Sequence, residues 1–120
     1  MRAEVKEILC LDVASLDFAD FCPDDLENFA CKLQLLVGPH HHDVRESFDL
    51  MLCTPKWLIE NHAPDDVVVG RHMLIVFEFG YERIVSYLRA YVARCTGNSW
   101  QQVAEKVGRL GRWEFEDYVA

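Results

Sequence analysis

Between Phe29 and Val37 every second residue is apolar: Phe29, Cys31, Leu33, Leu35 and Val37 share one parity, and Phe48, Leu50 and Leu52 repeat the pattern between Ser47 and Cys53. A period of two is that of a strand with one buried face, and a helix of 3.6 residues per turn scatters such residues around its axis. Gly38-Pro39-His40-His41-His42-Asp43 lies between the two runs and supplies turn residues, so the runs read as an antiparallel hairpin. The rest of the chain has to cover the apolar face of that hairpin.

Residues 3–13 read as a further strand, with Glu7 breaking the alternation and marking an edge or a bulge. Residues 67–79 read as a fourth strand. Its apolar residues fall on both parities, Met73, Ile75 and Phe77 against Leu74 and Val76, which predicts a central position covered on both faces. Thr54-Pro55 offers a capping hydroxyl followed by proline at the first helical position, so a short helix is expected over 55–61, with Trp57 and Leu58 as buried anchors. Tyr81, Ile84, Val85, Leu88, Tyr91 and Val92 make one helical stripe that Gly97 is expected to stop. Ser99, with Gln102 three residues on, caps another helix carrying Trp100, Val103, Ala104, Val107 and Leu110. Residues 113–118 read as a short strand or an irregular segment packed on the body. The order β-β-β-α-β-α-α predicts an α+β fold, a mainly antiparallel sheet of about four strands with one short and two longer helices packed against it.

The chain has 120 residues, which suits a single domain over 1–120 with one core, and 51% hydrophobic with 27% charged residues argues against disorder. No apolar run approaches the roughly 18 residues of a membrane span. The charged start, Met1 to Glu7, does not resemble a cleaved export signal. The five cysteines, Cys10, Cys22, Cys31, Cys53 and Cys95, include no Cys-x-x-Cys pair. A reduced, cytoplasmic protein is expected, with Cys10, Cys31 and Cys53 acting as small buried hydrophobes in strands.

The net charge is −8, and it is unevenly placed. Asp12, Asp17, Asp20, Asp24, Asp25 and Glu27 fall within residues 12–28 without a lysine or arginine, and Glu114, Glu116 and Asp117 fall in a basic-free C-terminal stretch. The remainder is nearly neutral. Such a field repels nucleic-acid phosphates and anionic lipid headgroups and favours a basic protein partner.

Motifs for catalysis are missing: the sequence contains no phosphate-binding glycine loop, no Gly-x-Ser-x-Gly and no His-Glu-x-x-His. Adjacent turn residues diverge, so His40-His41-His42-Asp43 is expected to be a solvated hairpin tip and not a metal site. Glu78 and Glu82 fit helix N-terminal electrostatics better than a carboxylate pair. Neither catalytic residue, cofactor nor metal is expected. A small enzyme or ligand-binding domain using a pocket near Cys53, His62 and His72 is the rival reading. Trp57 and Trp100 are expected in the core. Trp113, Phe115 and Tyr118, interleaved with Glu114, Glu116 and Asp117, combine rigid rings with charges able to steer a cationic partner, although Trp113 and Phe115 themselves are expected to plug the core.

Four ordered segments carry a resemblance: Leu33-Gln34-Leu35-Leu36-Val37-Gly38-Pro39, then Glu46 to Leu58 with Cys53-Thr54-Pro55-Lys56-Trp57, then Gly70-Arg71-His72, then Gly111-Arg112-Trp113-Glu114-Phe115-Glu116-Asp117-Tyr118. Together they resemble the immunity protein 8 family of bacterial polymorphic toxin systems across nearly the whole chain. The resemblance implies a cytoplasmic antidote, without enzymatic activity, that binds and inactivates a cognate toxin domain. A nuclease toxin with a basic cleft would be met by an acidic face, for which the expected partner-binding residues are Asp17, Asp20, Asp24, Asp25, Glu27, Glu114, Glu116 and Asp117.

Overall fold

The hairpin forms as the alternation requires. In the computed structural model, which describes residues 1–118, β2 (Ala30–Pro39) pairs antiparallel with β3 (Glu46–Cys53), Ala30 opposite Cys53 and Val37 opposite Glu46. Cys31, Leu33, Leu35, Val37, Phe48, Leu50 and Leu52 are all buried, and Phe29 joins them from just before β2. Gly38 is required where the connection folds back, because a Cβ there would sit 1.7 Å from the carbonyl oxygen of Val44.

β1 (Ala3–Cys10) pairs antiparallel with β2 as an outer strand, and the register slips between Val5 and Glu7. The polar residue that breaks the alternation therefore marks both an edge and a bulge. The strand ends at Cys10, short of the expected Val13, because Leu11 N–H is drawn to the carbonyl of Lys32 at 2.9 Å and the Asp12 carboxylate takes the Lys32 N–H at 2.7 Å. Cys10, Cys31 and Cys53 are buried, as expected of small apolar side chains in these strands.

The fourth strand differs from expectation. β4 is only Met73–Ile75, and it runs parallel to β3 at the end of the path β1-β2-β3-β4, so it is an edge and not a covered centre. Val67 and Val69 lie on the surface, as do Ile75 and Phe77. Two local causes cut the run short. A turn closes at Gly70 with the Met73 N–H on its carbonyl at 3.3 Å and His72 in the left-handed region at φ 62°. Further along, β5 (Arg112–Trp113) occupies the Phe48–Asp49 stretch of the same edge of β3, leaving only Met51–Cys53 for β4. The C-terminal segment is thus a strand of two residues followed by irregular chain.

α1 (Pro55–Glu60) forms the crossover from β3 to β4, capped by the fully buried Thr54 hydroxyl, which accepts the Trp57 N–H at 3.4 Å. Trp57 and Leu58 are half-buried and do not reach the core as expected. α2 (Tyr81–Ala93) buries Ile84, Leu88 and Val92 and packs along β1. It ends before Gly97, whose N–H instead reaches the carbonyl of Met1 at 3.0 Å. α3 (Trp100–Val107) buries Val103, Ala104 and Val107 and contacts β1 and β5. The expected capping box is half realised: Ser99 Oγ accepts the Gln102 N–H at 3.2 Å, while Gln102 Oε1 accepts the N–H of Asn98 at 2.9 Å. The result is an α+β fold with a mostly antiparallel sheet.

Candidate functional site

The first acidic segment is held in a defined shape by its own carboxylates. Asp17 caps a single 3-10 turn at Phe18–Asp20 by accepting the Ala19 N–H at 2.9 Å, and Asp20 accepts the Ser15 hydroxyl at 2.6 Å. Asp25 accepts the Glu27 N–H at 2.9 Å, and Glu27 pairs with Lys56 of α1 at 3.3 Å. A cluster of rings pins the loop from below. Phe18 packs on Phe21, Phe79 and Tyr81 with centroids 5.3–6.3 Å apart, and Phe29 meets Phe21 and Phe79 at 5.9 and 5.5 Å. The two edge-to-face pairs among them, Phe18–Phe79 and Phe29–Phe79, add roughly 0.5–1.5 kcal/mol each beyond the area they bury. Asp17, Asp20, Asp24, Asp25 and Glu27 themselves are exposed above that cluster.

The second segment has a different character. The Glu114 carboxylate accepts the Ser47 N–H at 2.8 Å, continuing the β3–β5 pairing through a side chain, and Glu116 pairs with Arg71 and, at 3.7 Å, with Arg112. Asp117 is exposed, in the left-handed region at φ 60°. Trp113 is half-buried and stacks on Phe48 at 6.3 Å, whereas Phe115 is 40% exposed and so does not plug the core. An open cleft of about 410 Å³ lies between this tail and α3, lined among others by Arg71, Glu105, Arg109 and Phe115. Residues 24–29 and the tail stand at opposite ends of β3. Residues 24–29 adjoin the Cys53 end of β3 and Glu114 adjoins Ser47, about 20 Å away at 3.3 Å per strand residue.

Cys53, His62 and His72 are not gathered into one site. The Cys53 thiol is fully buried, and burial pushes its pKa up, the opposite of an activated thiolate. His62 Nδ1 bonds the Leu58 carbonyl at 2.7 Å, and His72 Nε2 bonds the Gly108 carbonyl at 2.8 Å, three strand positions from the residue paired with Cys53. Each ring is thus committed to a backbone carbonyl. The hairpin tip is also more ordered than expected. His41 and His42 are exposed, but His40 is half-buried, bonded through Nδ1 to Glu4 and 3.0 Å from Arg2 through Nε2. That contact, with the positive field of Lys6, holds the Glu4 carboxyl below the usual carboxylate range.

Two features escaped the sequence reading. Glu46 accepts both indole N–H groups, Trp100 at 2.9 Å and Trp113 at 2.8 Å, which fixes α3 and β5 to the start of β3. The only sequence signal was a lone acid beside an apolar strand. The second is the exposed apolar surface around β4, since an apolar run by itself does not tell burial from display.

Among the described residues no group of three or more metal-ligating side chains is gathered, and no helix is long and apolar enough to cross a membrane. Comparison with curated proteins and with solved structures finds no match. A family model does match: that of Immunity protein 8, over residues 3–118. All four sequence segments that carry the resemblance lie inside this span, and the chain belongs to the Immunity protein 8 family, the immunity proteins of toxin systems.

Proposed function

We propose that this protein is a cytoplasmic antidote that binds a cognate toxin domain and neutralises it by covering the toxin's active or substrate-binding surface with acidic side chains. Family membership over nearly the whole chain supports the immunity role. The observation that carries the mode of action is the exposed run Asp17, Asp20, Asp24, Asp25 and Glu27, whose charge is presented to solvent while Asp17 and Asp25 also hold backbone N–H groups of the loop. Carboxylates so displayed imitate a phosphate backbone, which makes a nuclease with a basic cleft the fitting toxin class. Inhibition of this kind needs no chemistry from the antidote, and no catalytic group is assigned to it.

The test is co-expression of the toxin domain encoded beside this gene, with and without this protein, followed by mixing of the purified pair. Restored growth and a stoichiometric complex are expected. Unabated killing with no complex would overturn the reading.

A further inference from the structure

We infer that the toxin docks at the end of the sheet where residues 24–28, α1 and the β4–α2 connection meet, and that its contacting surface is cationic around an apolar centre. This rests on the immunity reading above and specifies its interface. Hydrogen bonds tie the three segments together: Phe79 N–H to the Leu26 carbonyl at 2.7 Å, Asn28 Nδ2 to Glu60 at 2.6 Å, Lys56 Nζ to Glu27 at 3.3 Å, and Val76 N–H to the Cys53 carbonyl at 2.9 Å. These segments carry Phe77 at 77% exposure, Ile59 at 75%, Ile75 at 46% and Leu26 at 43%. Single exposed apolar residues are ordinary, but four of them on joined segments beside an open strand edge make an interaction surface.

The edge adds main-chain groups. Parallel pairing of β4 with β3, with the Met51 N–H on the His72 carbonyl and the Val76 N–H on the Cys53 carbonyl, turns the peptide groups of Ile75 away from the sheet. An added strand or loop can bond there.

Charge selects the occupant. Asp24, Asp25, Glu27, Glu60 and Glu78 are exposed on these segments against Lys56 alone, and Glu82 and Arg83 follow, also exposed, in the first turn of α2. A second copy of the chain would set these acids against each other, and phosphates or anionic lipids would be repelled, so a cationic protein surface fits. The arrangement is that of an interface with an apolar centre and a polar rim. Because the Phe18–Phe21–Phe29–Phe79 cluster already orders the 24–28 segment, little ordering remains to be done on binding.

The experiment measures affinity for the toxin domain encoded beside this gene by calorimetry, with wild type, Phe77→Arg, Ile59→Arg and, as a control on the distant tail, Phe115→Arg. Thermal melts should be unchanged for the two surface variants, since both side chains are largely in solvent. Weakening of about 10-fold or more for each of Phe77→Arg and Ile59→Arg, with Phe115→Arg within about twofold of wild type, is expected. Wild-type affinity in both variants would overturn the docking site while leaving the immunity role intact. So would self-association of the free protein that Phe77→Arg abolishes without changing toxin affinity. Wild type that neither binds nor protects would overturn the immunity reading itself, and this site with it.

Discussion

The indole N–H of Trp113 lies 2.8 Å from Oε1 of Glu46, and through that oxygen the last strand is tied to the first residue of β3. Trp100 donates to the same oxygen from the first turn of α3 at 2.9 Å. Glu46→Ala leaves two half-buried donors without this acceptor and should cost about 2 kcal/mol. Glu46→Gln keeps a carbonyl oxygen in place and should cost about half as much. Urea denaturation monitored by tryptophan emission measures both, and a larger loss for Gln than for Ala would contradict the shared-acceptor geometry.

Gly38 has no room for a side chain. A Cβ there would overlap the Val44 carbonyl oxygen at 1.7 Å, and that atom is backbone, so relief requires the connection from β2 to β3 to move. Gly38→Ala should destabilise by about 3 kcal/mol, at the upper end of overpacking costs. Gly70, with open space around its α-carbon, is the control: Gly70→Ala should leave the melting temperature nearly unchanged.

Where one face of an element is buried, the sequence was legible: the Phe29–Val37 and Phe48–Leu52 alternations, the Ile84–Leu88–Val92 stripe and the Thr54 and Ser99 caps all appear where spacing puts them. The 67–79 run misled because apolar residues on both parities suit a doubly covered strand and a displayed edge equally. Only the long-range competition of β4 and β5 for one side of β3 decides between them. The acids of the candidate site were visible as composition. Which of them serve the fold was not, because Ser47, Arg71 and Lys56, their partners, lie 29 to 67 residues away in sequence.

Burial decides the behaviour of the thiols. Cys10, Cys31, Cys53 and Cys95 are buried and Cys22 is exposed, so a thiol reagent should find one fast group in the folded protein and five after unfolding. Burial raises the pKa of Cys31, with Cys10 beside it, and of Cys53 and Cys95, so folding favours their neutral forms. Their contribution is complete below the unfolded thiol value of about 9 and declines as pH rises past it, because only the unfolded chain then releases these protons. Stability should fall from pH 8 to pH 10, and Cys53→Ala should flatten that fall.

Glu4 gives the opposite limb. His40, bonded to its carboxylate, lowers its pKa in the folded state, so folding favours the ionised form. The stabilisation is present above the ordinary carboxylate value and is lost as pH falls through the depressed folded value. Wild type and Glu4→Gln should therefore differ in stability near pH 6 and converge only once pH has fallen below the depressed folded value. A difference that persists unchanged into acid would mean that the Glu4 charge is not what the contact with His40 uses.

The two acidic segments should separate when neutralised. Asp24→Asn, Asp25→Asn and Glu27→Gln together remove exposed charge, keep the Asp25 side-chain oxygen that accepts the Glu27 N–H, and sacrifice only a surface ion pair worth about 0–1 kcal/mol. Folding stability should hold, while association with the toxin domain slows and its salt dependence flattens. Glu114→Ala, Glu116→Gln and Asp117→Asn together remove the oxygen that accepts the Ser47 N–H and the ion pairs of Glu116 with Arg71 and Arg112, so their first effect should be a lower melting temperature. Stopped-flow association over a range of salt, read beside thermal melts, separates these outcomes. If the first set leaves the rate and its salt slope unchanged while a complex still forms, charge mimicry is excluded and the apolar centre alone must drive recognition.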